Sequence, residues 1–135
     1  MKVFFDTNIL VYACDLDSAR KRETARSLLH SHAANGCLST QVLQEFYVAT
    51  TRKLGMAPLK VKKILTHFNA MEIVAIEPED VHRAIDNSLQ WKISFWDALV
   101  ITAAHKARCS TLYSEDLNDG QSYYSIIVEN PFTRL

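Results

Sequence analysis

Residues 3–15 read VFFDTNILVYACD, and this stretch near the start of the chain decides the class of fold. Its first part, Val3-Phe4-Phe5, is a short and continuously apolar run, which predicts a buried strand. Asp6-Thr7-Asn8 ends the run and predicts a turn into a helix over 9–13. A buried strand that leads at once into a helix is the first unit of an alternating α/β chain.

The same alternation continues along the 135 residues. Apolar runs predict further strands at 37–39, 73–76, 111–113 and 126–128. Helical spacing and capping residues predict helices at 19–33, 41–54, 58–68, 78–91 and 94–107. Asn35-Gly36 is expected to end the first of these helices. The pattern predicts an α/β fold with three layers, α/β/α, in which a short parallel sheet of about five strands lies between helices. No internal repeat or linker is visible, so residues 1–135 are expected to form a single domain.

Composition and cysteine count favour an ordinary globular protein of the cytoplasm. Hydrophobic residues make up 48% and charged residues 22% of the chain, which is typical of such proteins. Cys14, Cys37 and Cys109 are widely spaced, so they indicate neither a disulfide framework nor a zinc site. The acid at position 6 argues against a signal peptide, and no apolar stretch is long enough to span a membrane. We therefore expect a cytoplasmic protein with no membrane partner.

The overall charge gives no argument for a nucleic-acid partner, because 15 basic and 15 acidic residues balance. Local basic patches occur at Arg20-Lys21-Arg22, at Arg52-Lys53 and at 60–63, and each alone is simply interpreted as a solvated helix face. The lysines among residues 60–63 could also steer RNA toward a cleft. Any case for RNA must therefore come from the active site.

Four acids occupy related positions in the predicted pattern: Asp6, Glu45, Asp97 and Asp116. Asp6 and Asp116 directly follow predicted strands, whereas Glu45 and Asp97 lie early in predicted helices. In a parallel sheet covered by helices, strand carboxyl ends and helix amino ends share one edge, and ligands bind there. We therefore expect all four carboxylates to point toward that edge.

Carboxylates that are brought together repel one another, and a divalent cation would remove that cost. Carboxylate oxygens suit Mg²⁺ or Mn²⁺, and the five histidines are scattered without metal-ligand spacing. Such an ion suits phosphodiester hydrolysis, because it orients the phosphate, lowers the pKa of a bound water and stabilises the displaced oxygen. The pattern therefore indicates a Mg²⁺- or Mn²⁺-dependent site.

Each acid also has an ordinary structural role available to it. Asp6 could be a helix N-cap, Glu45 an exposed helix residue, and Asp116 a turn acid. Asp97 could complete a capping box with Ser94. Three nearby acids compete for the role of Asp116: Glu115, Asp119 and Glu129. Four such roles all falling on one sheet edge would be a coincidence, so we favour a common site.

Around these acids the sequence resembles the PIN-domain family, specifically VapC-like toxin ribonucleases. The opening VFFDTNILVYACD resembles the family's first motif, an acid followed by Thr or Ser and Asn. Residues 38–53, LSTQVLQEFYVATTRK, resemble the second motif. Residues 93–121, ISFWDALVITAAHKARCSTLYSEDLNDGQ, resemble the third and fourth, and the ending IVENPF at 127–132 is also typical. The resemblance covers nearly the whole chain in the family's order.

The resemblance implies a role for each of these acids and for two polar neighbours. The catalytic and metal-binding acids would be Asp6, Glu45, Asp97 and the more variable Asp116. Asn8 and Ser114 would support the site by hydrogen bonding to an acid or a water. The fourth motif departs from the commoner Thr-x-Asp-x-Asp pattern, because it reads Ser-Glu-Asp-Leu. Whether Glu115 or Asp119 joins the site therefore stays open.

The resemblance further implies a Mg²⁺- or Mn²⁺-dependent endoribonuclease that hydrolyses single-stranded or structured RNA. Toxin members commonly form homodimers and are silenced by a cognate antitoxin protein that inserts a side chain or helix into the acidic site. The leading hypothesis is accordingly the ribonuclease toxin of a toxin–antitoxin pair.

Two other classes of function are weighed against the ribonuclease. The first is a catalytically inert PIN-like binding module whose acidic cleft docks a basic partner; complete core acids argue against it. The second is a response-regulator receiver, which would carry adjacent acids after the first strand and a lysine after the last. This chain has a single Asp6 after the first strand and Glu129-Asn130-Pro131 after the last, so we reject that class.

Aromatic residues lie close to the third acid, at Trp91, Phe95 and Trp96. They could stack RNA bases, because every base offers a flat face to an aromatic ring. Such side chains more often pack in a core or an interface, and packing is the interpretation that we favour.

Overall fold

The computed structural model describes residues 1–133 of the chain. Its strands are β1 (Val3–Phe5), β2 (Gly36–Ser39), β3 (Glu72–Val74), β4 (Thr111–Tyr113), β5 (Ser122–Tyr123) and β6 (Ile126–Glu129). Its helices are α1 (Thr7–Tyr12), α2 (Ala19–Ser31), α3 (Thr40–Arg52), α4 (Pro58–Phe68), α5 (Pro78–Trp91) and α6 (Phe95–Lys106). Strands and helices alternate through most of the chain, as predicted.

The strands form one sheet in the order β3-β2-β1-β4-β6-β5. All pairs up to β6 are parallel, and β5 alone runs antiparallel to its neighbour. The predicted α/β fold, a mostly parallel sheet flanked by helices, is therefore confirmed. The strand number of about five was low by one strand, because β5 is only two residues long. It pairs with β6 through a tight turn in which Tyr124 and Ser125 have positive φ angles of 53° and 66°.

Side chains of the central strands and of α6 fill the core. Phe4 and Phe5 are fully buried on β1, and Leu38, Leu112 and Val128 are fully buried on the neighbouring strands. Helix α6 is buried over 98–104 because it packs against both α5 and β2. None of the helices in the described part of the chain has the length and apolarity needed to cross a bilayer.

Gly36 has a different role from the one predicted. Helix α2 already ends at Ser31, and Gly36 is the first residue of β2. A Cβ atom on Gly36 would lie 2.8 Å from the carbonyl oxygen of His32 and 2.9 Å from Cε2 of Phe5. The glycine is therefore required by close packing of strand against helix, and the prediction that it stops the helix was wrong.

Local caps place three helix starts at the carboxyl edge of the sheet. Asp6 caps α1 by accepting from the backbone N–H of Thr7. Ser39 caps α3, and Ser94 caps α6. Because β1 and β2 run directly into α1 and α3, the first turns of these helices lie beside the strand ends.

Candidate active site

The four predicted acids lie along the carboxyl edge of the sheet. Asp6 immediately follows the central strand β1, and Asp116 lies three residues after β4, which pairs with β1. Glu45 lies in the second turn of α3, which follows β2, and Asp97 lies in the first turn of α6. The charges of Glu45 and Asp116 act on both Asp6 and Asp97, so the four carboxylates lie within electrostatic range of one another.

Asp6 is the most enclosed of the four, with 4% of its surface exposed. It accepts hydrogen bonds of 2.7 Å from the backbone N–H of Thr7 and 2.7 Å from the hydroxyl of Ser114. Burial raises the pKa of Asp6 to about 7, and the charges of Asp116 and Glu45 add to the rise. The two hydrogen bonds lower this pKa but do not offset the burial.

Asn8 and Ser114 join Asp6 to Asp116. The side-chain amide of Asn8 donates to Oδ2 of Asp116 at 3.2 Å and to Oδ2 of Asp6 at 3.5 Å. The hydroxyl of Ser114, which is fully buried, accepts from the backbone N–H of Asp116 at 3.1 Å while donating to Asp6. Both residues thus occupy the positions expected of supporting groups, between two of the acids.

Thr7 and Gln41 hold Glu45, and the sequence analysis did not single them out. The hydroxyl of Thr7 donates to Oε1 of Glu45 at 2.7 Å. The amide of Gln41 donates to Oε2 of Glu45 at 3.4 Å and to the carbonyl oxygen of Trp96 at 3.2 Å. Thr7 lies inside the first motif and Gln41 precedes Glu45 by four residues, one helical turn, and these were the available signals.

Asp97 is half-buried beside the cap of α6. Its backbone N–H donates to the hydroxyl of Ser94 at 3.1 Å, which is an ordinary N-cap contact. Burial raises the pKa of the Asp97 carboxyl, the Ser94 hydroxyl lowers it, and the charges of Asp116 and Glu45 raise it further. Asp97 is thus connected to the other acids through charge.

The acids that compete with Asp116 have partners elsewhere. Glu115 pairs with Lys21 at 2.7 Å and accepts from the hydroxyl of Tyr12 at 2.8 Å. Asp119 accepts from the backbone N–H of Asn130 at 2.9 Å. Glu129 lies on β6, where burial raises the pKa of Tyr113 and the charge of Glu129 raises it further. Of these neighbouring acids, Asp116 is therefore the one whose side chain contacts the site through Asn8.

The donor set fits a hard divalent cation. Within residues 1–133, no lysine or arginine forms an ion pair with Asp6, Glu45, Asp97 or Asp116. No three His, Cys, Asp or Glu side chains of this part of the chain are already close enough to hold an ion. Asp116 is exposed and Asp97 and Glu45 are half-buried, so these carboxylates have room to turn toward a common ion. Carboxylate oxygens without a cation suit Mg²⁺ or Mn²⁺.

Two grooves flank the acids and share Thr7 and Lys53. One, of about 610 Å³, runs along α3 from Glu45 to Arg52. The other, of about 430 Å³, lies beside Asn8, Tyr12, Glu115 and Asp116. The lysines at 60, 62 and 63 are exposed on α4 and line neither groove.

The aromatic residues near Asp97 have separate environments. Trp91 packs edge-on against Tyr123 and Tyr124, with ring centroids 5.0 Å apart in both pairs, as favoured from the sequence. Trp96 contacts Phe95 but is 60% exposed and lines the larger groove. Packing therefore accounts for Trp91, whereas Trp96 is left open to a ligand.

Comparison with known proteins agrees with this geometry. The chain has the fold of a toxin–antitoxin complex chain from Klebsiella pneumoniae, at 19% identity and a TM-score of 0.72 over 97% of this chain and 98% of that one. It also resembles VapC20 of Mycobacterium tuberculosis, a sarcin–ricin loop cleaving toxin, at 21% identity and a TM-score of 0.73 over 85% and 90% of the two chains. A chain of VapBC2 from Rickettsia felis, bound to a promoter DNA fragment, matches at 20% identity and a TM-score of 0.69 over 96% and 98%.

Similarity at these identities concerns the fold alone, and a comparison with curated proteins gives no match. The family itself is established by a sequence model, since the model of the PIN domain matches residues 3–118. That range holds all four acids together with Asn8 and Ser114. The chain therefore belongs to the PIN domain family.

Proposed function

We propose that this chain, acting as a single domain over residues 1–135, is a divalent-metal-dependent endoribonuclease and the toxin of a toxin–antitoxin pair. The observation that carries the proposal is the set of four carboxylates along one sheet edge that no lysine or arginine of residues 1–133 neutralises. Bringing carboxylates together without a cation destabilises a fold through their mutual repulsion, and a bound divalent cation removes that repulsion. Membership of the PIN domain family supports the same conclusion.

Asp6, Glu45 and Asp97 would hold Mg²⁺ or Mn²⁺, with Asp116 as the fourth acid. When bound, the ion supplies Lewis acidity and lowers the pKa of a water, which suits phosphodiester hydrolysis. The chain's own groups hold the ligands in position. Ser114 and the N–H of Thr7 fix Asp6, and the hydroxyl of Thr7 fixes Glu45.

RNA as substrate and an antitoxin as partner are supported by the solved structures of similar fold. One is described as a sarcin–ricin loop cleaving toxin, and two are toxin–antitoxin assemblies. We extend both properties to this chain, together with assembly as a homodimer. The two grooves beside the acids provide room for a strand to pass across the carboxyl edge.

The test is induction in bacteria of the wild type, of Asp97→Asn and of Asp86→Asn, with growth and total RNA followed in parallel. Asp86 is an exposed aspartate on α5 and serves as the matched control. We expect growth arrest and discrete RNA fragments with the wild type and with Asp86→Asn, and neither with Asp97→Asn. Intact RNA in all three strains, with soluble protein in each, would contradict the proposal.

A second candidate is an inert binding module whose acidic edge docks a basic partner. It is favoured by one observation, that no three potential ligands within residues 1–133 are already gathered around a common point. The two candidates differ in what a divalent ion does. Purified protein that cleaves RNA in Mg²⁺ or Mn²⁺ and stops in excess EDTA is a nuclease, whereas a docking module is indifferent to both.

A further inference from the structure

The larger groove has the features of a binding site beyond the acids themselves. It occupies about 610 Å³ along α3, and Thr7 and Glu45 form the end nearest the carboxylates. Gln41 and Trp96 line it near the same end, Val48 lies further along α3, and Arg52 is at the far end. A ligand group held in this groove would therefore lie next to a substrate phosphate bound at the acids.

Trp96 gives the groove a flat apolar wall. Its side chain is 60% exposed, although the indole is in edge-on contact with Phe95 at a centroid distance of 5.1 Å. Val48 on α3 is also exposed toward the same groove. A fixed aromatic ring beside an aliphatic surface is the arrangement on which nucleobases stack in proteins that bind single strands.

Gln41, which lines the groove, has one side-chain atom without a hydrogen-bond partner in residues 1–133. Its residue surface is 4% exposed, and both acceptors of its amide N–H₂ group, Glu45 and Trp96, are oxygen atoms, which fixes the orientation of the amide. Its Oε1 atom is buried and has no hydrogen-bond donor within residues 1–133. Buried acceptors normally have a donor, so a turn of the amide toward the groove would let this oxygen accept from a ligand N–H or O–H.

Arg52 and Lys53 make the far end of the groove basic. No ion pair joins either of them to a carboxylate of residues 1–133. An arginine without a carboxylate partner is suited to a phosphate. The combination of a flat apolar wall, a buried acceptor and a cationic end favours a nucleotide over an apolar protein segment.

We propose that this groove is a nucleobase subsite of the substrate RNA. One base stacks on Trp96, an N–H of that base donates to Oε1 of Gln41, and Arg52 contacts a neighbouring phosphate. The proposal rests on the ribonuclease function proposed above and adds a residue-level determinant of which nucleotide lies beside the scissile bond.

Equilibrium binding of RNA hexamers of adenylate, cytidylate and uridylate tests the stacking. The parent is the Asp6→Asn variant, so that RNA is not cut during the measurement. We expect Trp96→Ala to raise the Kd for the preferred hexamer about tenfold and Trp96→Phe to restore most of the affinity. Leu89→Ala, at an exposed apolar residue of α5 outside the groove, is the control and leaves Kd unchanged. Val48→Glu, a second variant that places a negative charge in the groove, lowers affinity without removing an aromatic.

A spectroscopic readout separates stacking from a merely structural role. In a Trp91→Phe form of the same parent, Trp96 is the remaining tryptophan, and RNA should quench its emission. In the active enzyme, Trp96→Ala should raise KM about tenfold and leave kcat within about threefold.

Three results would count against the proposal, and they are distinguishable. Unchanged Kd in both Trp96→Ala and Val48→Glu, with a parent that binds RNA, would overturn the base subsite and assign the exposed indole to a protein partner. RNA binding that leaves the emission of Trp96 unaltered would do the same. A wild type that neither binds nor cleaves RNA would overturn the ribonuclease proposal, and the subsite with it.

Discussion

Asp6 and Asp80 are two aspartates that are almost equally buried, at 4% and 6% exposure, and both lie at the start of a helix. Asp80 lies in the first turn of α5, where the ammonium of Lys106 is 2.8 Å from its Oδ2 and the N–H of Glu77 donates to it at 2.9 Å. Burial alone would raise the pKa of Asp80, but Lys106 and that N–H hold it below the usual range. Asp6 has hydrogen bonds and no such cation within residues 1–133, and its pKa is raised to about 7.

The difference shows that this fold can neutralise a buried aspartate with its own lysine. It does so at α5, where the acid has a structural role. At the carboxyl edge it places Asp6 among other acids, and no lysine or arginine of the described part of the chain is its counterion. Because such an arrangement is costly in the absence of a cation, the contrast between Asp6 and Asp80 supports the proposal that Asp6 is a functional acid.

The largest effect is expected on catalysis. Asp6→Asn should lower kcat/KM for RNA cleavage about 10²- to 10⁴-fold, since a metal ion that loses a ligand no longer stabilises several kcal/mol of transition-state charge. Asp80→Asn should stay within about threefold of the wild type, provided that assays are run well below its melting temperature. Cleavage of an end-labelled RNA in Mg²⁺ measures kcat/KM for both variants. Equal falls in kcat/KM would show that Asp6 and Asp80 do not differ in their importance for cleavage.

The pH dependence of stability should differ between the two acids. A carboxyl pKa raised from 3.8 to about 7 means that metal-free protein loses stability as pH rises from about 4 to 7. Over that range the free energy of unfolding of Asp6→Asn should therefore rise by about 4 kcal/mol relative to the wild type. Hydrogen bonds that the substitution breaks would reduce this difference. Asp80 has a lowered pKa, so its contribution is present above about pH 4 and is lost only as pH falls further.

Urea unfolding in EDTA at several pH values measures these contributions. Asp80→Asn is the control, because its stability relative to the wild type should be nearly constant between pH 5 and 8. A stability difference between the wild type and Asp6→Asn that does not vary with pH would show that Asp6 is not titrating in the folded protein.

Metal binding itself should separate the two sites without any assay of activity. Mg²⁺ or Mn²⁺ at about 100 times its Kd should stabilise the wild type by about 2.7 kcal/mol. Asp80→Asn should keep this stabilisation, whereas Asp6→Asn should lose most of it. Differential scanning calorimetry with and without the ion gives the result, and an equal gain in all three proteins would place the ion elsewhere.

Much of the fold could be predicted because its strands are continuously apolar. Val3-Phe4-Phe5 is recognisable as a buried strand from composition alone. Strand β5 was missed because two residues carry no pattern and the turn at Tyr124-Ser125 lacks the glycine or asparagine that usually marks such turns. The end of α2 was misplaced because Gly36 is required by close contacts and not by the helix end. One contact is with Phe5, which is remote in sequence, and the other is with His32, the residue after α2.

The position of the acids and the contacts of Asn8 and Ser114 with them could also be predicted, but the partners of Glu45 could not. Asp6 and Asp116 follow strands, so the rule that parallel strands share a carboxyl edge is enough to place them. The bond from Thr7 to Glu45 spans 38 residues of chain, and no local pattern signals it. The choice between Glu115 and Asp116 depended on whether Lys21 reached one of them, which only the structure decides.

The smallest of these effects is expected at Ser114, whose hydroxyl holds Asp6 at 2.7 Å and lowers its pKa. Ser114→Ala should lower kcat/KM about tenfold, because one charge-assisted hydrogen bond is worth on the order of 1.5 kcal/mol and the aspartate loses its fixed orientation. The acidic limb of the pH–rate profile should move to higher pH, since the bond that favours the ionised carboxyl is gone. Ser110→Ala, at the opposite end of β4, is the matched control because the Ser110 hydroxyl donates to the carbonyl oxygen of Lys2 at 3.3 Å and to no acid of residues 1–133. A fall in rate without a shift of the acidic limb would mean that Ser114 acts through packing, and the control of the Asp6 charge would then rest on the donors Thr7 and Asn8.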